Sequence, residues 1–237
     1  MTNAHPISIG HLQLGNIPRV VGTTITRQAL RELASGARDP HCDIVELRLD
    51  LMDPAPDDGW LDDARSLQQR ATPVLVTMRA EFEGGHAAGD AERRSVLLQA
   101  QVACACIDIE SRSVICAALC DAALERERPI IVSYHDFKAT PDVARLTDVL
   151  HSMCTHPNVI PKIATMVNTP EDMATLSQVA ALDLGRPKCL IGMGPVGVST
   201  RLDLATQGSA LAYGFLDASG APGQIACGDM QRHFASL

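Results

Sequence analysis

Basic residues are scarce in this chain: 20 Lys and Arg stand against 28 Asp and Glu in 237 residues, a formal balance of −8. No basic stripe is present that could track a phosphate backbone, so nucleic acid is not an expected partner. The longest apolar stretches are interrupted by Asp, Arg or Pro and never reach the roughly eighteen residues of a membrane span. The opening MTNAHPIS carries no apolar leader core, so no membrane association and a cytoplasmic location are expected. No low-complexity tract or Pro/Ser linker divides the sequence, and one domain over residues 1–237 is expected. A Gly-x-Gly-x-x-Gly turn is missing after Val20–Thr26, which weakens dinucleotide binding and the open doubly wound sheet that would support it.

The apolar share is 46% and the charged share 20%, a composition that excludes disorder. Eight cysteines lie mostly in apolar or Ala-rich surroundings such as VACACID and VICAALCDAAL. The spacing of Cys104, Cys106, Cys116 and Cys120 matches no paired-cysteine zinc motif, so the cysteines read as small core residues and no metal site is expected.

Short runs rich in Val and Ile recur at Arg19–Thr23, Asp43–Leu49, Pro73–Met78, Ala105–Glu110, Pro129–Tyr134, Asn158–Thr165, Lys188–Met193 and Ser209–Gly214. Their centres are about 20 to 33 residues apart, room for a strand, a loop and a covering helix. Eight such units predict an α/β fold, a single (β/α)8 TIM barrel. Helix starts are predicted at Thr140-Pro141, Thr169-Pro170, Asp90 and Ser111, and a helix stop at Gly185. Ile7, Ile9, Leu12 and Leu14 around Gly10-His11 predict an N-terminal β-hairpin closing one end of the barrel.

Strand alternation places Glu46, Arg48 and Asp50 on one face of DIVELRLD and Val45, Leu47 and Leu49 on the other. In a parallel barrel the apolar face belongs under the helices, so the charged triplet projects inward, as an ion-pair ladder or as site residues. VTMRAEFEGG delivers Arg79 and Glu83 at a strand end, followed by two glycines that let the loop bend closely. IIVSYHDF places His135 at the lip of the next strand but one. Lys162 stands inside VIPKIATM, an otherwise apolar strand, and buried lysines are rare. An ordinary lysine is only about 0.04% neutral at pH 7, so an amine nucleophile needs about 4 kcal/mol of help from its surroundings. The alternative is that Lys162 simply pairs with Glu110 or Glu46 inside the barrel.

These pieces, with Met193-Gly194, Gly197-x-x-x-Arg201 and Ala221-Pro222-Gly223-Gln224, resemble in order and strand position the type I 3-dehydroquinate dehydratase family of the shikimate pathway. The resemblance runs from Pro18 onward. It implies a Schiff-base dehydratase converting 3-dehydroquinate to 3-dehydroshikimate without a metal or nucleotide cofactor, and a homodimer. By position it makes Lys162 the amine, His135 the acid and base, and Glu83 the group that orients His135. Arg201 is assigned to the substrate carboxylate, since a guanidinium offers a bidentate fork. Glu46, Arg48, Arg79 and Gln224 are assigned to the substrate hydroxyls, and Thr23 stands where the family often has Ser. One departure concerns the serine four residues before Gln224: that place is Gly220, and Ser219 is the neighbouring candidate. A substrate contact there is expected to be worth at most about 1.4 kcal/mol.

Three other readings compete. A class I aldolase would share the iminium but break a carbon–carbon bond, and a metal-dependent hydrolase would use His135 and Asp136. A degenerate barrel retained as a binding scaffold has no need of Glu83, His135 and Lys162 together. Glu83–Asp90 and Asp217–Gln224, both glycine-containing, are the candidate closing loops.

Overall fold

A computed structural model describes residues 6–15, 17–52, 59–86, 89–218 and 224–236. Strands β1 (Ser8–Ile9) and β2 (Leu12–Gln13) form an antiparallel hairpin. Eight strands follow: β3 (Arg19–Thr24), β4 (Ile44–Arg48), β5 (Val74–Thr77), β6 (Cys106–Glu110), β7 (Ile130–Asp136), β8 (Val159–Met166), β9 (Cys189–Met193) and β10 (Leu211–Phe215). Each is followed in sequence by a helix: α1 (Arg27–Ser35), α2 (Trp60–Gln69), α3 (Asp90–Ala103), α4 (Cys116–Glu125), α5 (Val143–Met153), α6 (Pro170–Ala180), α7 (Thr200–Thr206) and α8 (Cys227–Phe234). The strands pair in the order β10-β3-β4-β5-β6-β7-β8-β9, all parallel. This is a (β/α)8 barrel, and each predicted strand segment overlaps one of β3–β10.

Closure at β9 and β10 rests on less backbone pairing than elsewhere. A single parallel bridge joins Lys188 and Ser209, with Ala210 N donating to Lys188 O at 2.8 Å. The buried Ser209 hydroxyl extends the seam, accepting from Leu190 N at 2.9 Å and donating to Leu211 O at 3.0 Å. A side chain thus takes over ladder bonds that the diverging backbones no longer reach.

Strand alternation sorts the core into two shells. Val45 and Leu47 of β4, Val76 of β5 and Ile107 and Ile109 of β6 pack with Leu33, Leu67, Leu97 and Leu119 of the helices. Their neighbours Ile44, Leu75, Cys106, Ile131 and Ile160 cluster with Ile7, Ile9 and Leu14 of the hairpin. The hairpin therefore plugs the N-terminal end of the barrel, and burying those three side chains contributes about 1.5–3 kcal/mol each. Gly10 makes the fit possible: it adopts φ +60, and a Cβ there would lie 2.9 Å from the Pro73 ring. With the lower barrel filled by apolar groups, the polar inward residues are confined to the C-terminal end.

Two helix starts differ from expectation. Thr140-Pro141 does not open α5; Asp142 caps it, accepting from Arg145 N at 2.8 Å. The Thr140 hydroxyl instead donates to Met166 O at 2.8 Å, tying the loop to the end of β8. Ser111 does not cap α4, which begins at Cys116, because Ser111 N continues the strand pairing by donating to Ser133 O at 2.7 Å. Asp90 is the first residue of α3, after Gly89 at the cap position. Thr169 caps α6 in a reciprocal capping box with Asp172, and Pro170 is its first residue. That helix ends at Ala180, five residues before Gly185. Among the described residues no helix is long and apolar enough to cross a membrane.

Candidate active site

The polar side chains begin one pleat above the apolar floor. Lys162, 3% exposed on β8, puts Nζ 2.9 Å from Asp108 Oδ2 on β6. The partner is therefore neither of the two glutamates expected from sequence. Glu46 accepts from the Thr23 and Thr77 hydroxyls at 2.7 Å each, and Glu110 accepts from Arg79, from Ala80 N and from Arg93. Asp108 is shared: its Oδ1 lies 2.8 Å from Arg79 Nη2. Burial opposes its ionisation, but Arg79 and Lys162 prevail and hold the carboxyl well below its ordinary range. The Tyr213 ring centroid is 4.2 Å from Nζ.

His135 sits at the end of β7, with Nδ1 2.8 Å from Glu83 Oε2. Burial, reinforced by Arg79 and Lys162, pushes its imidazole well below the ordinary value of 6.5 despite Asp108, so the ring is neutral at physiological pH. Phe137 stacks beside it, ring centroids 5.9 Å apart and 12° between planes. Glu83 closes a 3-10 turn (Glu81–Glu83) and is 1% exposed. Burial pushes its carboxyl up to about 7, against the pull of Arg79 and Arg112. The two glycines after it have distinct reasons: Gly84 adopts φ +78, and a Cβ on Gly85 would fall 2.0 Å from the Arg79 carbonyl oxygen. Only a glycine lets that loop fold back far enough to aim Glu83 at His135.

A cavity of about 210 Å³ opens over these groups at the C-terminal end of the strands. Every sequence candidate among the described residues lines it: Lys162, His135 and Glu83, the polar set Thr23, Glu46, Arg48 and Arg79, and Arg201 and Gln224 from the segments after β9 and β10. Ser219 lies outside the described residues, as do parts of both candidate loops, residues 87–88 and 219–223. The base of the second loop is fixed by Asp217, whose Oδ2 accepts from Thr24 Oγ1, Thr26 Oγ1 and two backbone N–H groups. Of the expected charged triplet, Glu46 and Arg48 lie on β4 and Asp50 in the turn beyond it: Arg48 forks onto Asp50 at 2.9 and 2.7 Å, while Glu46 is held by hydroxyls.

Arg201, at the start of α7, is 6% exposed and has no carboxylate partner among the described residues. Its Nη1 donates to Tyr213 O at 3.3 Å and its buried Nε has no partner. Burial lowers its pKa to about 10, which leaves the guanidinium charged at neutral pH. A buried, uncompensated cation with a spare donor is a ready receptor for an anion.

Sequence reasoning passed over Asp108, Arg112, Ser133 and Tyr213. The alternation of CIDIE, which turns Asp108 and Glu110 inward while Ile107 and Ile109 face the helices, carried a usable signal for the first. Ser133 relays between Arg79 and Asp108, accepting at 2.6 Å and donating at 2.7 Å. Arg112 lies on a turn without periodicity, yet its guanidinium reaches Glu83 Oε1 at 2.9 and 3.1 Å.

Comparison with known proteins extends this geometry to a lineage. The family described as Type I 3-dehydroquinase matches residues 20–237. The chain belongs to that family. A 3-dehydroquinate dehydratase from Methanothrix thermoacetophila is 34% identical over 195 residues, covering 81% of each chain. Another, from Methanocella arvoryzae, is 32% identical over 212 residues, covering 88% of this chain and 91% of its own. The crystal structure of 3-dehydroquinate dehydratase from Geobacillus kaustophilus superposes with a TM-score of 0.86 at 27% identity, covering 100% of this chain and 98% of that one.

Proposed function

We propose that this chain is a 3-dehydroquinate dehydratase of the shikimate pathway that works through a Schiff base on Lys162, assisted by His135. The carrying observation is that both side chains reach the same cavity, the amine from β8 and the imidazole from β7. The Lys162 amine adds to the C3 ketone, and loss of water gives an iminium whose positive charge acidifies the C2–H bond. Neutral His135 takes that proton at Nε2, with Nδ1–H donating to Glu83. The enamine electrons then expel the C1 hydroxyl, which leaves as water with the proton returned by His135. Water adds to the conjugated iminium and releases the enone product and the free amine.

Arg201 is the receptor for the substrate carboxylate, and Glu46, Arg48, Arg79 and Gln224 hold the ring over His135. Replacing Arg201 by Ala removes a charge-assisted contact worth about 1.5–3 kcal/mol, so KM is expected to rise by about 10- to 150-fold. Arg201→Lys should recover only part of that, because an ammonium cannot present two parallel donors. Steady-state kinetics showing KM unchanged in Arg201→Ala would assign the carboxylate elsewhere.

The decisive test is purified protein with 3-dehydroquinate, followed by the ultraviolet absorbance of the enone. Growth of that band, unaffected by a chelator, is expected; none from folded protein removes the reading. The same reading carries a single catalytic domain, a cytoplasmic enzyme and a homodimer. Exposed Val102 and Leu124 on α3 and α4 and Val114 between them offer apolar surface for the dimer. Sedimentation at micromolar concentration should give about twice the 25.3 kDa chain mass.

A further inference from the structure

Arg112 takes no part in the reaction just described, yet it closes the side of Glu83 that His135 leaves open. Its Nη2 and Nε donate to Glu83 Oε1 at 2.9 and 3.1 Å, while Oε2 faces His135 Nδ1 at 2.8 Å. The guanidinium lies 5.7 Å from the Phe82 ring centroid and 5.3 Å from that of Tyr134, two aromatic contacts that hold it in place. Nη2 also approaches the His135 carbonyl oxygen at 3.5 Å. Arg112 itself is half exposed, so its cost of desolvation is small beside that of the carboxylate it holds.

The protonation state of Glu83 decides what His135 can do. As a carboxylate, Glu83 accepts from Nδ1–H and leaves the Nε2 lone pair for a substrate proton. As a carboxylic acid it can donate to Nδ1, which puts the hydrogen on Nε2 and removes the base. The charged and titratable groups facing Glu83 are Arg79 from the end of β5, Glu110 from β6, Arg112 from the turn after β6, and His135 from β7. Arg79 is already committed to Asp108, Glu110 and Ser133. Glu110 opposes a second negative charge nearby. Among the described residues, Arg112 is the cation in direct hydrogen bond with Glu83.

We propose that Arg112 is a positioning residue, holding Glu83 ionised and thereby fixing the His135 tautomer that can accept the substrate proton. This rests on the dehydratase reading and adds to it a pH-setting residue. That burial pushes the Glu83 carboxyl up to about 7 places the balance within the working range, where one cation matters.

The test compares Arg112→Met, which keeps an unbranched stem against Phe82 and Tyr134, with Arg112→Lys, which restores the charge. In Arg112→Met the acidic limb of kcat/KM should move upward by about one pH unit, a loss of about tenfold on that limb that shrinks as pH rises. Arg112→Lys should return the limb most of the way. Imidazole nitrogen NMR of the substrate-free protein at pH 7.5 provides a second readout: the wild type should show His135 protonated at Nδ1, and Arg112→Met should shift the population toward Nε2. An equal loss at every pH, or an unchanged limb and an unchanged tautomer in Arg112→Met, overturns the proposal. If wild-type protein forms no enone, the function fails separately, and the tautomer measurement still decides the role of Arg112.

Discussion

Turnover of 3-dehydroquinate by Lys162→Ala is expected to fall by at least about 10⁵-fold, the scale on which removal of a covalent nucleophile is felt. Borohydride added during turnover should leave a reduced adduct on Lys162 in the wild type, visible by mass spectrometry, and none in Lys162→Ala. His135→Ala should separate the steps: the imine still forms and is trapped, while the enone does not accumulate because no base reaches C2. The variant is a fair test because Lys162→Ala leaves no buried charge stranded. Asp108 keeps Arg79 at 2.8 Å and the Ser133 hydroxyl at 2.7 Å, so the network loses one cation without orphaning its anion. A native thermal transition with no adduct is the expected pair of results. Retained turnover, or an adduct formed without Lys162, would show that another group supplies the amine.

Much of this site is legible in the sequence because a barrel converts strand alternation into geometry. Glu46 and Lys162 each occupy an inward position of a strand whose outward face packs apolar side chains against the helices, and Thr23 lies in register beside Glu46, so their arrival in one cavity follows from closure. Arg79, Glu83 and His135 gather there because a parallel barrel directs all strand ends to one face. Pairing between strands distant in sequence is what the alternation does not specify. Lys162 could have met Glu46, Glu110 or Asp108; the shear of the strands and the capture of Glu110 by Arg79 and Arg93 settle it for Asp108. The two misplaced helix starts have a similar origin. Thr140 and Ser111 carry good local capping signals, but long-range bonds to Met166 O and to Ser133 O claim those residues first. Arg112 had no local signal at all, since its meaning depends on a carboxylate 29 residues earlier in the chain.

Asp108→Asn is expected to be the most destabilising conservative change in the barrel, costing about 3–5 kcal/mol, because it removes the anion shared by two buried cations. For a chain of this size that corresponds to a drop in Tm of about 6–20 °C. The pH dependence carries a sign that distinguishes the two site carboxylates. The Asp108 carboxyl is held below its ordinary value of 3.8, so its contribution is complete above that pH and is lost as pH falls through the native value. The deficit of Asp108→Asn should therefore be constant between pH 5 and 8. Glu83 behaves oppositely: raised from 4.5 to about 7, it favours the native state below pH 4.5, and that contribution is lost as pH rises to about 7. Urea unfolding at pH 5 and 8 should thus show the wild type losing the Glu83 contribution while the wild-type-to-Asn difference stays fixed. A difference that fades between those pH values would mean that Asp108 titrates there and is not locked by Arg79 and Lys162. Stability equal to wild type within about 0.5 kcal/mol would deny the shared ion pair altogether.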